Sequence, residues 1–174
     1  KETENKNRVI EQEEQITIEF LNKTLPEDKP STHIIEHIKE FEGFRSKTYI
    51  DQGQLTIGYG FSQYVMPSLK KGDTITEIEA EQKLYLLLTQ RYIPYVNSIV
   101  EYPISKKQAE VLAGFTMNVG EVQFKNSKVL YHINSGKIEK ASKEMLRWNK
   151  SNGKEIPGFV RRRQVEAEML MTYE

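Results

Sequence analysis

The feature that most restricts this chain is a change of hydrophobic period, from helical to alternating and back, within its first hundred residues. From Thr32, a residue suited to cap a helix N-terminus, Ile34, Ile35, Ile38 and Phe41 recur at helical spacing until Gly43 offers a stop. Between Thr48 and Phe61 the period falls to two, with Leu55, Ile57, Tyr59 and Phe61 alternating against Thr56, Gly58 and Gly60. That pattern reads as a strand pair turning at Gln52-Gly53. Thr76 and Glu79 then form a capping box ahead of Ala80, Leu84, Leu87, Leu88 and Tyr92, which predicts a long helix to about Val100, kinked at Pro94. Beyond Pro103 the pattern stays helical. A second capping box, Ser105 with Gln108, opens a helix to Val119, and further helices are expected over 126–134, 137–148 and 157–172, punctuated by Gly120, Gly136 and Gly153. The expected class is α+β: a small β-hairpin lobe and a larger helical lobe joined by a long helix, with a cleft between the lobes.

Residues 1–31 stand apart, with eight acidic side chains against five basic ones. The two prolines of Leu25-Pro26-Glu27-Asp28-Lys29-Pro30 read as a linker, so 1–31 is expected to be an acidic appendage and 32–174 the domain proper. Val9, Ile10, Ile16, Ile18, Phe20 and Leu21 suffice for a short helix or strand docked on a neighbour. The sequence begins at Lys1 with no charged-then-apolar leader, as expected of a processed product or a part excised from something longer.

Composition closes several function classes. The absence of Cys removes disulfides, thiolate metal sites and a Cys nucleophile. Lys and Arg number 25 against 25 Asp and Glu, so no global field draws the chain onto nucleic acid or anionic lipid. The longest uncharged run, Gln52 to Leu69, is broken by Gly, Gln, Ser and Pro, and the mean hydropathy is −0.63, so no integral membrane segment is expected. Bases do gather locally, nine against three acids over 137–163, a patch able to meet an anionic polymer. Arg161, Arg162 and Arg163 cannot share one helix face, so at least one is expected to pair with a carboxylate such as Glu166, four residues after Arg162. No recognition-helix or aromatic RNA-binding pattern accompanies these charges, and nucleic acid is not an expected partner. Trp148 is expected in the core.

Three side chains are candidates for chemistry. Glu42 falls four residues after Ile38 and eight after Ile34, placing a carboxyl group at the C-terminal end of an apolar stripe, where it is either functional or simply solvated or paired with Arg45. Asp51 follows nine residues later. With Gln52-Gly53 as a two-residue turn, Tyr49, Asp51, Gln54 and Thr56 share one face of the hairpin and Asp51 is a diagonal neighbour of Thr56, about 7–8 Å away at the backbone. An acid on a helix end, a carboxylate on a hairpin and a hydroxyl beside it are the parts needed for glycoside hydrolysis. Asp is equally an ordinary turn residue. A competing motif, His33-Ile34-Ile35-Glu36-His37, matches the H-x-x-E-H of some zinc peptidases. The helix is short, the His pair lies on what reads as its polar face, and no downstream helix offers a third ligand, so the expected reading is a solvated pair with no metal.

Phe41-Glu42-Gly43-Phe44-Arg45, Tyr49-Ile50-Asp51 and Thr56-Ile57-Gly58-Tyr59-Gly60 together resemble the phage-type lysozymes, or endolysins, of glycoside hydrolase family twenty-four. The resemblance continues in family order through Gln108–Gly120, Phe124 with Asn126-Ser127, Asn134-Ser135-Gly136, Trp148, and Pro157–Arg163 with Glu166, and so covers residue 32 to the end. It implies a lysozyme-like fold and a muramidase that cuts the β-1,4 bond between N-acetylmuramic acid and N-acetylglucosamine, without metal or organic cofactor. By position it makes Glu42 the general acid, Asp51 the carboxylate that positions or activates water, and Thr56 the residue holding that water, with inversion at the anomeric carbon. Two positions depart from the usual pattern: four residues rather than five separate Asp51 from Thr56, and Phe61-Ser62 follow Gly60 where many relatives carry His. The implied partner is the peptidoglycan glycan strand, met at the bacterial cell wall, periplasmic or extracellular, after synthesis in the host cytoplasm. Four alternatives stay open: a place in a longer phage or toxin chain, an inhibitor or immunity protein as partner, a wall-binding or delivery module of weak activity, and the zinc peptidase.

Overall fold

A computed structural model of the chain describes residues 2–24 and 29–172. Its elements follow the change of period. Helix α1 (Glu2–Thr24) and helix α2 (Thr32–Glu42) precede strands β1 (Arg45–Asp51), β2 (Gln54–Gly58) and β3 (Phe61–Ser62). Helix α3 (Glu77–Leu87) runs into a π-helix (Leu88–Tyr92), then α4 (Ile93–Ile99), α5 (Lys106–Val119), α6 (Glu121–Lys125), α7 (Lys128–Asn134) and α8 (Ile138–Met145). A hairpin of β4 (Lys150–Ser151) and β5 (Lys154–Glu155) leads to α9 (Pro157–Met171). The described residues thus form a mainly helical fold with a small antiparallel sheet.

Contacts divide the chain into two units, one of Lys1–Pro30 with Ile38–Leu87 and the other of Ser31–His37 with Leu88–Glu174. In the first unit the antiparallel sheet runs in the order β1-β2-β3, and Ile38, Ile57, Tyr59, Phe61 and Leu84 form its buried interior. Tyr59 lies between Phe44 and Phe61, with ring centroids 5.6 and 6.3 Å away. The predicted capping box is present: the Glu79 N–H donates to Thr76 Oγ1 at 3.2 Å, and Thr76 N–H reaches back to Glu79 Oε1 at 3.4 Å. Residues 2–24, in which a short helix or strand docked on a neighbour is expected, are one helix of 23 residues that packs on α3; Thr17 is buried, while Val9, Ile10 and Ile16 are exposed. The side chains of Ile18 and Leu21, and residues 25–28 of the expected linker, lie outside the described residues.

The second unit is built around α5, in which every residue from Gln108 to Thr116 is buried, as a helix with neighbours on all sides requires. Its capping box is also present, and Gln108 does more than cap. Its Oε1 accepts from Ser105 N–H at 2.9 Å, while its Nε2 donates to the Leu170 carbonyl at 3.0 Å, tying the start of α5 to the end of α9. Buried Glu110 accepts from the N–H and hydroxyl of Ser31 at the start of α2. Where a kink is expected, the structure has a π-helical segment, Leu88–Tyr92, directly before the turn that holds Pro94. Pro94 lacks the N–H that would bond a carbonyl one turn back, and the helix absorbs the defect in the wider π turn just before it. Three departures from the expected helices occur further on. The short α6 fills the gap between Gly120 and Asn126, the helix from Ile138 stops at Met145 rather than Trp148, and Asn152-Gly153, both at positive φ (51° and 77°), turn a hairpin. Trp148 is half-buried and meets Phe115 edge to face at 5.9 Å.

Candidate active site

The three candidate residues all fall in the first unit, brought there by two local devices. The first is the stop of α2. Gly43 adopts φ 66° and its N–H closes the last helical turn on the Lys39 carbonyl at 3.0 Å, so Glu42 is the final helical residue and the chain turns directly into β1. The second is the hairpin turn. Gln52 and Gly53 adopt φ 48° and 80°, the left-handed pair that a two-residue turn demands, and β1 pairs with β2 as Tyr49↔Thr56, Ile50↔Leu55 and Asp51↔Gln54. This is the register expected from the sequence. Tyr49, Asp51, Gln54 and Thr56 therefore share one face, with Asp51 diagonal to Thr56.

The environments of the three differ. Asp51 is exposed at the end of β1. Thr56 is 3% exposed, lies between Tyr49 on one side and Ser62 of β3 on the other, and its hydroxyl donates to the Gln54 carbonyl at 3.0 Å. With its proton committed there, the Thr56 oxygen meets a third group as an acceptor. Glu42 is half-buried, and its carboxylate rests on Gly60. A Cβ placed at Gly60 would stand 3.1 Å from the Glu42 carboxyl carbon and overlap one of its oxygens, and the φ of 74° disfavours side chains independently. The last turn of α2 is steadied from the same loop. Lys39 lies 5.9 Å over the Tyr59 ring and 3.4 Å from Glu81, and the Tyr59 hydroxyl donates to Glu77 at 3.1 Å.

Two further side chains border this cluster. The Arg45 guanidinium lies 4.3 Å from the centroid of the Tyr49 ring. Burial, then the negative charges of Asp51 and Glu42, push the Tyr49 phenol above its ordinary value, with Arg45 acting the other way. Tyr49 and Gly60 escaped selection as site residues on sequence alone. Signals existed: Tyr49 shares the face of Asp51 by simple alternation, and a second glycine within Gly58-Tyr59-Gly60 marks a close approach. A cavity of about 420 Å³ in the same unit is lined by Ile57, Leu69, Asp73 and Glu79 among others. Ile57 alternates with Thr56, so this cavity belongs to the opposite face of β2 from the candidate cluster.

The competing histidine motif resolves differently from the solvated pair expected for it. His33 is exposed, but His37 is 5% exposed, and its Nε2 lies 3.1 Å from Glu166 of α9. Glu166 is 0% exposed and also meets Arg162, at 3.5 Å, and Arg163. The pairing of Arg162 with Glu166 one turn on is the one that spacing predicts, and Arg163 joins it. The Arg163 guanidinium donates to Asn118, to Glu166 and, through Nε at 2.9 Å, to the Trp148 carbonyl. Burial by itself would raise the Glu166 carboxyl, but the His37 hydrogen bond and the charges of Arg163 and Arg162 outweigh it and hold the group below the usual carboxylate range. His37 is thus engaged in an ion network inside the second unit, and among the described residues no three His, Asp or Glu side chains gather as a metal-binding set.

Residues 39–166 match the phage lysozyme family model. The chain is 36% identical over 144 residues to an endolysin of Bacillus phage B103, an alignment covering 80% of this chain and 53% of that protein. It is 34% identical over 134 residues to an endolysin of Acyrthosiphon pisum secondary endosymbiont phage 1, covering 74% of this chain and 88% of the relative. The chain therefore spans about half the length of the first of these relatives and most of the second. Among solved structures, the muramidase domain of SpmX from Asticaccaulis excentricus superposes with a TM-score of 0.73 at 30% identity, over 84% of this chain and 99% of that domain.

Proposed function

Because this chain belongs to the phage lysozyme family, we propose that it is a peptidoglycan hydrolase cleaving the β-1,4 bond between N-acetylmuramic acid and N-acetylglucosamine. The observation that carries the reading is the hairpin register, which sets Asp51 and Thr56 on one face in the unit that also holds Glu42 against Gly60. Glu42, as the carboxylic acid, gives its proton to the glycosidic oxygen as the bond from the anomeric carbon to that oxygen breaks. A water adds its oxygen to the anomeric carbon from the opposite side and surrenders a proton to Asp51, whose charge also stabilises the oxocarbenium-like transition state. The hydroxyl of Thr56, having donated to the Gln54 carbonyl, accepts a hydrogen bond from the same water and so fixes its second proton away from the sugar. The substrate is the glycan strand of the cell wall, in line with the names endolysin and muramidase carried by the relatives. Among the described residues no helix is long and apolar enough to cross a membrane.

Reducing-end analysis of digested peptidoglycan tests the reading. The wild type is expected to release new reducing ends with inverted anomeric configuration. Glu42→Gln is expected to fold normally and lose about 10²–10⁴ in rate, and Asp51→Asn to be similarly damaging. A wild type that pellets with the wall but releases no reducing ends is a wall-binding module, and wild-type clearing by Glu42→Gln removes the assigned acid.

A further inference from the structure

Helix α3 takes no part in the steps above, yet two of its side chains hold both partners of the contact on which the proposed acid rests. Glu42 ends α2, and its carboxylate lies against Gly60. Gly58 and Gly60 adopt positive φ, 67° and 74°, and carry no side chains to pin them, so the anchor of this turn is the residue between them, Tyr59, which is 2% exposed. Its ring packs between Phe44 and Phe61, and its hydroxyl donates to Glu77 in the first turn of α3 at 3.1 Å. The helix end that bears the acid is tied to the same ring and the same helix. Lys39, one turn before Glu42, sets its ammonium 5.9 Å over the Tyr59 ring and 3.4 Å from Glu81, one turn after Glu77. All of these residues lie in the first unit. Ring packing tolerates small rotations, whereas a hydrogen bond to a carboxylate fixes both distance and direction.

We propose that Tyr59 is a positioning residue of this centre: its hydroxyl bond to Glu77 fixes the Gly58–Gly60 backbone that seats the Glu42 carboxyl, and so orients the acid toward the glycosidic oxygen. The proposal rests on the hydrolase reading above and assigns one more residue to it. Tyr59→Phe retains the ring and its packing and removes the hydroxyl alone. On a soluble glycan substrate this variant is expected to lose about ten- to a hundredfold in kcat with KM unchanged, since a displacement of about 1 Å at a reacting group is that damaging. Glu77→Ala should lose the same factor, and Glu77→Gln, which keeps an acceptor oxygen, should recover most of it. Tyr59→Phe combined with Glu77→Ala should be no slower than either alone, because each removes the same bond. A merely structural role would lower the unfolding midpoint and leave kcat, measured well below that midpoint, unmoved. Wild-type kcat in Tyr59→Phe, or losses that multiply in the double variant, in a preparation where Glu42→Gln is inactive, overturn the proposal and leave the hydrolase reading standing. A readout independent of turnover separates the two further. In protein carrying carbon-13 and nitrogen-15, the Gly60 amide and Glu42 carboxyl resonances are expected to move in Glu77→Ala and to return toward their wild-type positions in Glu77→Gln. Resonances unmoved in Glu77→Ala overturn the proposal whether or not the enzyme turns over.

Discussion

Glu166→Gln is the substitution whose cost the structure constrains most tightly. The wild-type carboxylate is 0% exposed and faces Arg162, Arg163 and His37, whose side chains are 1–3% exposed. Glutamine keeps the shape and one acceptor oxygen but removes the anion that compensates two buried guanidinium groups. Breaking a buried ion pair from one side costs about 3–5 kcal/mol, because the remaining charge loses its compensation while staying out of water. In a chain of this length each kcal/mol moves the unfolding midpoint by about 2–4 °C, so the expected fall is roughly 6–20 °C. The effect carries a pH signature. The folded Glu166 carboxyl lies below its unfolded value, so its ionisation stabilises the fold fully above the ordinary carboxylate range, and the benefit is lost as pH falls through the lower, folded value. The gap between wild type and variant should thus be complete at pH 7 and shrink below about pH 4. Thermal and urea unfolding of both proteins at pH 7, 5 and 3 measure it. A gap under about 1 kcal/mol at pH 7, or one that is constant across that range, refutes the account of a charge-compensating core anion.

Two substitutions probe the candidate site's supports. Gly60→Ala adds a methyl group where the Glu42 carboxylate now rests and strains a φ of 74°. It should cost about 1–2 kcal/mol of stability but about a hundredfold in rate, since a displacement near 1 Å is that damaging to a reacting group. Full activity in the folded variant would show that Gly60 does not seat the acid. Gln52→Asn places a residue tolerant of left-handed backbone at φ 48° and should stabilise the hairpin by about 0.5 kcal/mol in urea titration without loss of activity. A loss of stability would mean that the Gln52 side chain, not its backbone, holds the turn.

Where the sequence was legible, the information was local. The capping boxes at Thr76–Glu79 and Ser105–Gln108 occupy four residues each, and Gln52-Gly53 sets the strand register through backbone torsions at just two positions. Hence the sequence alone places Asp51 and Thr56 on one face. His37 shows the opposite case. It follows Ile34 by three on the buried stripe of α2, but its residue type suggests solvent, and the partner that makes burial tolerable, Glu166, is 129 residues away. The β4–β5 hairpin had its turn signal in Asn152-Gly153 but no apolar alternation around it, because strands of two residues bury nothing. The π turn left no trace in the periodicity before it. Gly60 and Tyr49 belong to the candidate site through contacts made across the sheet and the loop after β2, which composition and spacing register faintly.

The double engagement of Gln108 has a consequence for the last turn of α9. Helix ends are ordinarily the first places to fray, opening and closing many times for each global unfolding. Here the carbonyl of Leu170 is held by the same amide that caps the buried helix α5. Peeling α9 back past Leu170 would strip a hydrogen bond from a side chain that is 3% exposed, so the two helix ends are coupled in their opening. Amide hydrogens in the last turn of α9 should then exchange on the timescale of α5, and that turn becomes a reporter on the integrity of the buried helix.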